Sequence, residues 1–385
     1  MGRWHFLFVG ALWLAGLAIM NGQGSTAYVW NLPKNFPRPR VPASNPMSDA
    51  KVELGRHLFY DKRLSENGTQ ACATCHEQEH AFADSRGQAV GSTGEVHPRG
   101  SMSLVNVAYA AALTWGNPSL TELEAQALVP MFGDHPVELG VKQPGTALLS
   151  RLRAETRYRA LFAAAFGAEP DPVTLEHVTQ ALATFERTIV SARSPYDRYR
   201  TERDDTAISE SARRGETLFM SQPLSCFRCH GGFNLSGAVT YDGRRSVDIG
   251  DIEFHNTGLY NIAGALSYPS PNTGIYETTR RPEDVGKFKA PTLRNIAVTA
   301  PYMHDGSAAT LEDVVAHYSA GGRTIADGPL RGVGHDNPLK SPTIRGFTLS
   351  AEQRADLIAF LRSLTDEPLL RDPRFSNPWK GTSWH

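Results

Sequence analysis

The sequence predicts a mainly α-helical protein built from two similar halves with long ordered loops. Apolar residues recur at helical spacing along several stretches, whereas the alternation that is typical of strands is rare. The same short arrangement also occurs twice. Residues 55–59 and 215–219 share the pattern Gly-x-x-Leu-Phe, and each precedes a Cys-x-x-Cys-His motif. Each half is therefore expected to contain a helix that leads into a turn carrying this motif.

The two Cys-x-x-Cys-His motifs use all four cysteines of the 385-residue chain. Their members are Cys72, Cys75 and His76, and Cys226, Cys229 and His230. This is the attachment sequence of c-type haem, in which two thiols bond the vinyl groups and the histidine binds the iron. Disulfides are the alternative, which the close spacing and the following histidines disfavour. We expect two covalently bound haem c groups in two cytochrome c-like domains, residues 28–200 and 201–385, that meet in the charged stretch 196–207.

Further stretches show the apolar periodicity of helices. They are residues 120–131, 146–166, 173–190, 311–318 and 350–364. Ser350 and Gln353 have the spacing of a capping box, which marks the start of the last helix. Residues 85–101 and 268–286 are rich in Gly and Pro and are predicted to form ordered loops.

The N-terminus and the overall charge indicate a secreted protein with almost no net charge. Residues 1–27 are predicted to be a signal peptide, because a basic start is followed by the apolar run 6–20, which is short for a membrane span. An uncleaved anchor helix is the alternative. The net charge of −1, with 39 basic and 40 acidic residues, suggests no nucleic-acid or anionic-membrane partner. We expect a periplasmic protein that is free of the membrane after cleavage.

Several motifs resemble those of the bacterial dihaem cytochrome c peroxidase and MauG superfamily. They are Trp115 and residues 123–130, 136–140, 287–295 and 300–307, which follow the family's order with similar spacing. The resemblance extends from about residue 55 to residue 364. It implies that the N-terminal haem reacts with hydrogen peroxide beneath Gln126, Pro130 and Glu138.

Glu138 is the expected acid–base group of this pocket. Peroxide must lose a proton from one oxygen and gain one on the other before the O–O bond breaks, and a nearby carboxylate can move that proton. Gln126 would orient the peroxide, although its spacing from Trp115 exceeds the family's by one residue. His135 is a competing acid–base residue, and a solvent-facing Glu138 is the plain alternative.

The resemblance also implies an open N-terminal haem. Peroxidases of the family carry a distal histidine at a position that corresponds to about Ser92 here. His80 and His97 are the nearest histidines and neither has the expected spacing. We therefore expect a five-coordinate haem that needs no reductive activation, with His97 as an alternative ligand.

Tyr318 is the expected sixth ligand of the C-terminal haem. It lies fourteen residues beyond His304, where peroxidases of the family have Met and MauG-like members have Tyr. A phenolate is a hard anionic donor that favours oxidised iron. Met303 is the rival ligand, and a core aromatic role is the alternative for Tyr318. Trp115 is expected between the haems as a carrier of oxidising equivalents, or else as a packed core residue.

The family holds a calcium ion between its haems. The resemblance implies the backbone carbonyls of Thr299 and Pro301 as ligands, but the family's Asn ligand corresponds to Gly100 here, and Asn106 belongs to a different part of the motif. Because Ca²⁺ accepts neutral oxygen donors, we expect a calcium ion even so.

Three functions follow from the resemblance. The first is a MauG-like enzyme in which hydrogen peroxide produces a two-electron-oxidised dihaem state that oxidises tryptophan residues of a periplasmic partner protein. The second is a peroxidase that reduces peroxide with electrons from a small cytochrome c or cupredoxin, and the third is an electron-transfer cytochrome without enzymatic activity. Tyr318 favours the first over the second, and Glu138 and Gln126 disfavour the third.

The partner is a separate question. MauG passes oxidising equivalents through a surface Trp six residues before its second haem-ligating His, and this chain has Leu224 there. Methylamine dehydrogenase is therefore not the expected partner. Other MauG-like members oxidise small periplasmic proteins, including proteins encoded with methanobactin copper-uptake genes. Trp379 and Trp384 are candidate exit points, or else part of a frayed tail.

Overall fold

The computed structural model describes residues 28–34, 36–167, 169–244 and 252–379. The predicted signal segment 1–27 and Trp384 lie outside these ranges. Helices and long loops dominate the described chain, which confirms the mainly α-helical prediction. Within the described ranges, no helix has the length and apolarity that crossing a membrane requires.

The helices and strands alternate with 3₁₀ turns along the chain. The helices are α1 (Asp49–Phe59), α2 (Leu123–Gln126), α3 (Leu128–Phe132), α4 (Thr146–Ala154), α5 (Thr156–Phe166), α6 (Leu175–Arg187), α7 (Pro195–Asp197), α8 (Glu210–Phe219), α9 (Tyr276–Thr279), α10 (Leu311–Ala320), α11 (Ala351–Arg362) and α12 (Glu367–Leu370). Strands β1 (Phe254–Asn256) and β2 (Lys287–Lys289) form one antiparallel pair, and β3 (Thr324–Ile325) and β4 (Gly332–Val333) form another.

Local chemistry explains where the predicted helices begin and break. The Ser350 hydroxyl accepts a hydrogen bond from the Gln353 amide, and the Gln353 side-chain oxygen accepts one from the Ser350 amide. The predicted capping box is therefore confirmed. The stretch 146–166 forms two helices because Glu155 is extended, and its carboxylate caps α5 at Arg157 N. The stretch 120–131 likewise divides into α2 and α3.

Two glycines allow close crossings between helices far apart in sequence. Helix α1 packs on α6 and α8 packs on α11. A Cβ at Gly55 would lie 2.0 Å from the carbonyl oxygen of Ala181, and a Cβ at Gly215 would lie 2.0 Å from that of Asp356. Any side chain at either position would overlap the facing backbone. The repeated Gly-x-x-Leu-Phe pattern thus corresponds to a repeated helix crossing.

Each crossing lies in its own apolar core. The first core surrounds α1, α4, α5 and α6, and the second surrounds α8, α10 and α11. The C-terminal residues Leu369, Phe375 and Trp379 belong to the first core. Trp379 is only 6% exposed, and its Nε1 donates to the carbonyl of His57 at 2.9 Å. The frayed-tail interpretation of Trp379 is therefore wrong.

Buried polar contacts join the two halves. The Arg294 guanidinium donates to both carboxylate oxygens of Asp197 at 2.8 and 2.9 Å. Asp366 accepts from Ser191 Oγ and from the Ala192 amide, each at 3.1 Å. The division of the chain near residues 196–207 stays a prediction. The last described stretch, 369–379, follows that point in the sequence but packs in the core of the first half.

We expect Gly215→Ala to lower the free energy of unfolding by ~1–3 kcal/mol or more, because the new methyl group forces α8 away from α11. Gly55→Ala should act in the same way on α1 and α6. Denaturant unfolding followed by far-UV circular dichroism measures the change. Gly237→Ala is the control, since its nearest contact would be an ordinary 3.5 Å, to the carbonyl of Cys229. Equal stability of the Gly215 and Gly237 variants would contradict the role of the crossing.

Candidate dihaem site

One continuous cavity of about 820 Å³ contains both Cys-x-x-Cys-His motifs. Residues of both halves form its wall. The motif residues in the wall are Cys72, Cys75, His76, Cys226, Cys229 and His230. No disulfide joins these four cysteines, so the disulfide alternative is wrong. The cavity therefore offers two thiol pairs, each with its own histidine, to ligands that share one space.

Each motif forms a tight turn that presents its three functional side chains together. The turns are the 3₁₀ helices Cys72–Thr74 and Cys226–Arg228. The His76 amide donates to the carbonyl of Cys72, and the His230 amide to that of Cys226, each at 3.0 Å. The cysteines and the histidine therefore lie on one turn, as covalent haem attachment requires.

The two histidines are oriented as metal ligands. His76 Nδ1 lies 2.8 Å from the carbonyl oxygen of Phe82, and His230 Nδ1 lies 3.1 Å from that of Pro291. A carbonyl can only accept, so Nδ1 carries the hydrogen and Nε2 keeps its lone pair for a metal. Burial lowers the pKa of both histidines, that of His230 to about 4, which keeps the imidazoles neutral. These residues fit a haem at each motif.

Backbone contacts fix the predicted peroxide pocket beside the first motif. The Ser92 amide donates to the Glu138 carbonyl at 2.7 Å, and the Leu139 amide donates to Pro130 at 2.8 Å. The Val137 amide donates to the Glu95 carboxylate at 3.0 Å. A Cβ at Gly91 would lie 1.7 Å from the Val137 carbonyl oxygen, so the two loops meet at backbone contact. The backbone around Glu138 is therefore fixed by hydrogen bonds to residues 92 and 95 on one side and to residue 130 on the other.

The predicted pocket residues Gln126, Pro130 and Glu138 all line the cavity. Gln126 ends α2 and Pro130 lies in α3. Burial raises the pKa of Glu138 to about 7. Its side chain keeps 37% exposure, which we attribute to the cavity that it lines. A carboxyl that titrates near neutral pH can both accept and donate a proton there.

The histidines considered as distal groups lie in three different places. His97 Nε2 is 3.5 Å from Glu138 Oε1. His135 lies in the exposed part of the cavity wall. His80 Nδ1 lies 3.2 Å from the carbonyl of Val298. The structure thus brings His97, and not His80, to Glu138.

Trp115 lies in the cavity wall and is held by its backbone and its ring. Its Nε1 donates to Gly100 O at 2.9 Å, and its carbonyl accepts from the Lys289 amide at 2.9 Å. Lys289 Nζ donates to the carbonyl of Ala112 at 2.5 Å, and burial lowers the pKa of this lysine to about 7.

Sequence reasoning missed several charged residues of the cavity wall. Arg99, Glu186 and Lys289 are among them. Burial raises the pKa of Glu186 to about 8. Arg99 pairs with Glu277, and its guanidinium carbon lies 5.5 Å from the ring centre of Phe288. Helical periodicity could have placed Glu186 on the apolar face of α6. Nothing in the sequence distinguishes Lys289 from the half-exposed Lys287 on the same short strand.

Tyr318 lies on α10 in the cavity wall beside the second motif. Burial raises its pKa, and the thiols of Cys229 and Cys226 add to the effect, which places the phenol near both. Met303 lines the same cavity and has a left-handed backbone with φ of 69°. The structure thus brings both candidate ligands to the cavity, and Tyr318 remains the predicted one.

The expected calcium ligands Thr299 and Pro301 also line the cavity. Asn106 is committed elsewhere, because its side chain bonds to Ser191 and to Asn234. A Cβ at Gly100 would lie 3.0 Å from the Gly87 carbonyl oxygen, so a larger residue would crowd that backbone. Any calcium ion here would depend on neutral oxygen donors.

Comparisons with known proteins cover most of the chain. A family model described as di-haem cytochrome c peroxidase matches residues 49–206. The methylamine utilization protein MauG of Methylorubrum extorquens is 34% identical over 359 residues, covering 92% of this chain and 90% of that protein. The cytochrome-c peroxidase IdrP1 of Denitromonas iodatirespirans is 34% identical over 377 residues, covering 93% of this chain and 94% of that protein.

Solved structures show the same similarity. A crystal structure described as a MauG-like protein associated with microbial copper homeostasis has a TM-score of 0.89 and 47% identity, covering 92% of this chain and 100% of that chain. The dihaem peroxidase BthA of Burkholderia thailandensis has a TM-score of 0.64 and 22% identity, covering 86% of this chain and 90% of that one. The second likeness concerns the fold alone.

Tyr318→Met should raise the reduction potential of the second haem, because a thioether favours reduced iron and a phenolate favours oxidised iron. A spectroelectrochemical titration of the holoprotein measures both haems separately. Met303→Leu is the matched control and should leave both potentials and the ferric spectrum unchanged. A changed ferric spectrum in Met303→Leu, with none in Tyr318→Met, would assign the ligand to Met303 instead.

Proposed function

This chain belongs to the MauG and dihaem cytochrome c peroxidase family, and from that premise we propose that it uses hydrogen peroxide to oxidise tryptophan in a periplasmic partner protein. The family makes it a dihaem, peroxide-dependent oxidoreductase. The observation that carries the finer proposal is the unequal surroundings of the two motifs. A carboxyl with a near-neutral pKa, Glu138, lies by the first motif, and a phenol, Tyr318, lies by the second.

The bound haems would supply redox-active iron, held by His76 and His230 and anchored through the four thiols. Glu138 would take a proton from one peroxide oxygen and return it to the other. Gln126 and Pro130 would shape the space in which peroxide is oriented. Trp115, fixed by its bonds to Gly100 and Lys289, would carry oxidising equivalents between the two halves.

Tyr318 supports oxidation of a partner over peroxidase turnover with a cytochrome. As an iron ligand, its phenolate would lower the potential of the second haem, which would make that haem poorly suited to accept electrons from a reduced cytochrome. The same ligand would stabilise the oxidised state that the proposed reaction with a protein requires. Calcium held by the carbonyls of Thr299 and Pro301 is part of the proposal.

Oxidising equivalents cannot reach the partner through a Trp at position 224, because this chain has Leu224 there. Leu224 lines the cavity near the second motif. Trp379 is a poor exit point, because it is buried and two guanidinium carbons, of Arg63 and Arg157, lie 5.0 and 5.2 Å from its ring centre. Two cations facing an indole oppose its oxidation to a cation radical. We therefore favour an exit near the second motif.

The similarity to the protein associated with copper homeostasis, at 47% identity over the full length of that chain, supports a partner involved in copper handling. The partner test uses the holoprotein, hydrogen peroxide and the product of the neighbouring gene, with mass spectrometry of the partner's tryptophans. Oxygen addition to a tryptophan is expected, and Glu138→Gln should slow it without changing haem content. A parallel assay supplies reduced cytochrome c instead. Rapid peroxide turnover with cytochrome and an unmodified partner would contradict the proposal and support the cytochrome c peroxidase.

The reaction with peroxide should depend on pH through Glu138. Because the folded pKa is raised to about 7, the carboxyl is protonated below that pH and ionised above it. The carboxylate is the form that accepts the first proton, so the second-order rate constant should rise with pH around 7. Stopped-flow mixing of the ferric holoprotein with peroxide measures it. In Glu138→Gln the rise near pH 7 should disappear, and its persistence would remove Glu138 from the mechanism.

A further inference from the structure

His97 is a half-buried histidine whose covered Nε2 faces the Glu138 carboxyl. Its segment is a short hairpin in which the Gly91 amide donates to Glu95 O and the His97 amide donates to Ala89 O. Nε2 lies 3.5 Å from Glu138 Oε1. This nitrogen has almost no accessible surface and no hydrogen-bond partner among the described residues. A buried polar atom left in this way is unusual, because it loses its water without a replacement.

We propose that His97 is the proton-exchange partner of Glu138 and acts on peroxide through that carboxyl. The inference rests on the proposed reaction with peroxide and adds a second residue to it. His97 is a positioning residue, since Glu138 and not His97 faces the reacting oxygens. His97 lines the cavity, but an iron-ligand role for its Nε2 is disfavoured because this atom has almost no accessible surface.

The exchange between Glu138 and His97 moves protons only and conserves their number. In the resting pair the Glu138 carboxyl holds one proton. His97 Nε2 accepts that proton when peroxide enters, which leaves a carboxylate. The carboxylate takes the proton of one peroxide oxygen and delivers it to the other. The proton on His97 then returns to Glu138, and the pair is restored with no net gain or loss.

Charges around the pair support this resting state. Burial lowers the pKa of His97 and raises that of Glu138, so both neutral forms are favoured. Glu95, on the hairpin, raises the pKa of His97, and Arg99 lowers it. Glu138 faces His97 from the opposite loop at 3.5 Å, and the attraction between a carboxylate and an imidazolium at that distance would oppose the effect of burial. Proton transfer from Glu138 to His97 is therefore favoured by proximity and opposed by burial.

The test uses His97→Gln, which keeps a polar side chain of similar size but cannot accept a proton. Stopped-flow rate constants with peroxide are measured on the ferric holoprotein between pH 5 and 9, without partner. We expect a loss of about tenfold or more and a profile reduced to the single ionisation of Glu138. The electron paramagnetic resonance spectrum, which reports the spin state of the first haem, should stay unchanged. His177→Gln is the control, since this residue stacks on Phe166 and its Nδ1 lies 2.7 Å from Pro172 O.

Each outcome decides the proposal. An unchanged rate constant and profile in His97→Gln would overturn it, and a change of spin state would show that His97 is an iron ligand instead. If His97→Gln does not fold, Glu95→Gln provides the second test. Loss of the Glu95 charge should move the His97 limb of the profile to lower pH, and an unmoved profile would again overturn the proposal. If Glu138→Gln does not slow the reaction with peroxide, the proposed function is rejected. If Glu138→Gln slows the reaction and His97→Gln does not, only the role of His97 is rejected.

Discussion

The close crossings at Gly55 and Gly215 are the contacts on which both haem sites depend. A facing carbonyl oxygen occupies the place of a Cβ at each glycine, so α1 meets α6, and α8 meets α11, at backbone distance. The end of α1 or α8 is fixed by its crossing, and from that end a short segment leads to a Cys-x-x-Cys-His turn. Each turn therefore has one position relative to its core, and each imidazole meets its own backbone carbonyl.

The two sites differ because their other walls come from unrelated segments. Beside the first motif, two loops in backbone contact hold Glu138, with His97 behind it. Beside the second, α10 places Tyr318 close to the thiols. One cavity spans both, so the difference in chemistry exists inside a continuous space. A duplicated scaffold can thus carry two haems of unequal character without any difference between the attachment motifs themselves.

Most of what the sequence predicted is local chemistry. The motif turns and the Ser350 capping box follow from spacing along the chain, whereas the cavity positions of Glu138, Trp115 and Tyr318 were predicted from the resemblance to the family. What could not be predicted depends on distant partners. The buried Lys289 donates from Nζ to the carbonyl of Ala112, and His97 lies 3.5 Å from a carboxyl forty-one positions later in the sequence. The break at Glu155 was missed because an extended residue that also caps a helix leaves the apolar pattern on both sides intact.

The C-terminal stretch 369–379 completes the first core although it is the last described part of the chain. Trp379 bonds to the carbonyl of His57, and the Tyr60 hydroxyl donates to the carbonyl of Phe375 at 2.6 Å. Residues 369–379 are also the last part of the described chain to be synthesised, about 300 positions after Cys72 and Cys75. Until they are present, the first core lacks Leu369, Phe375 and Trp379 and cannot be completed around the helix that leads to the first motif. The first domain therefore cannot reach its final packing before the second half of the chain has been made.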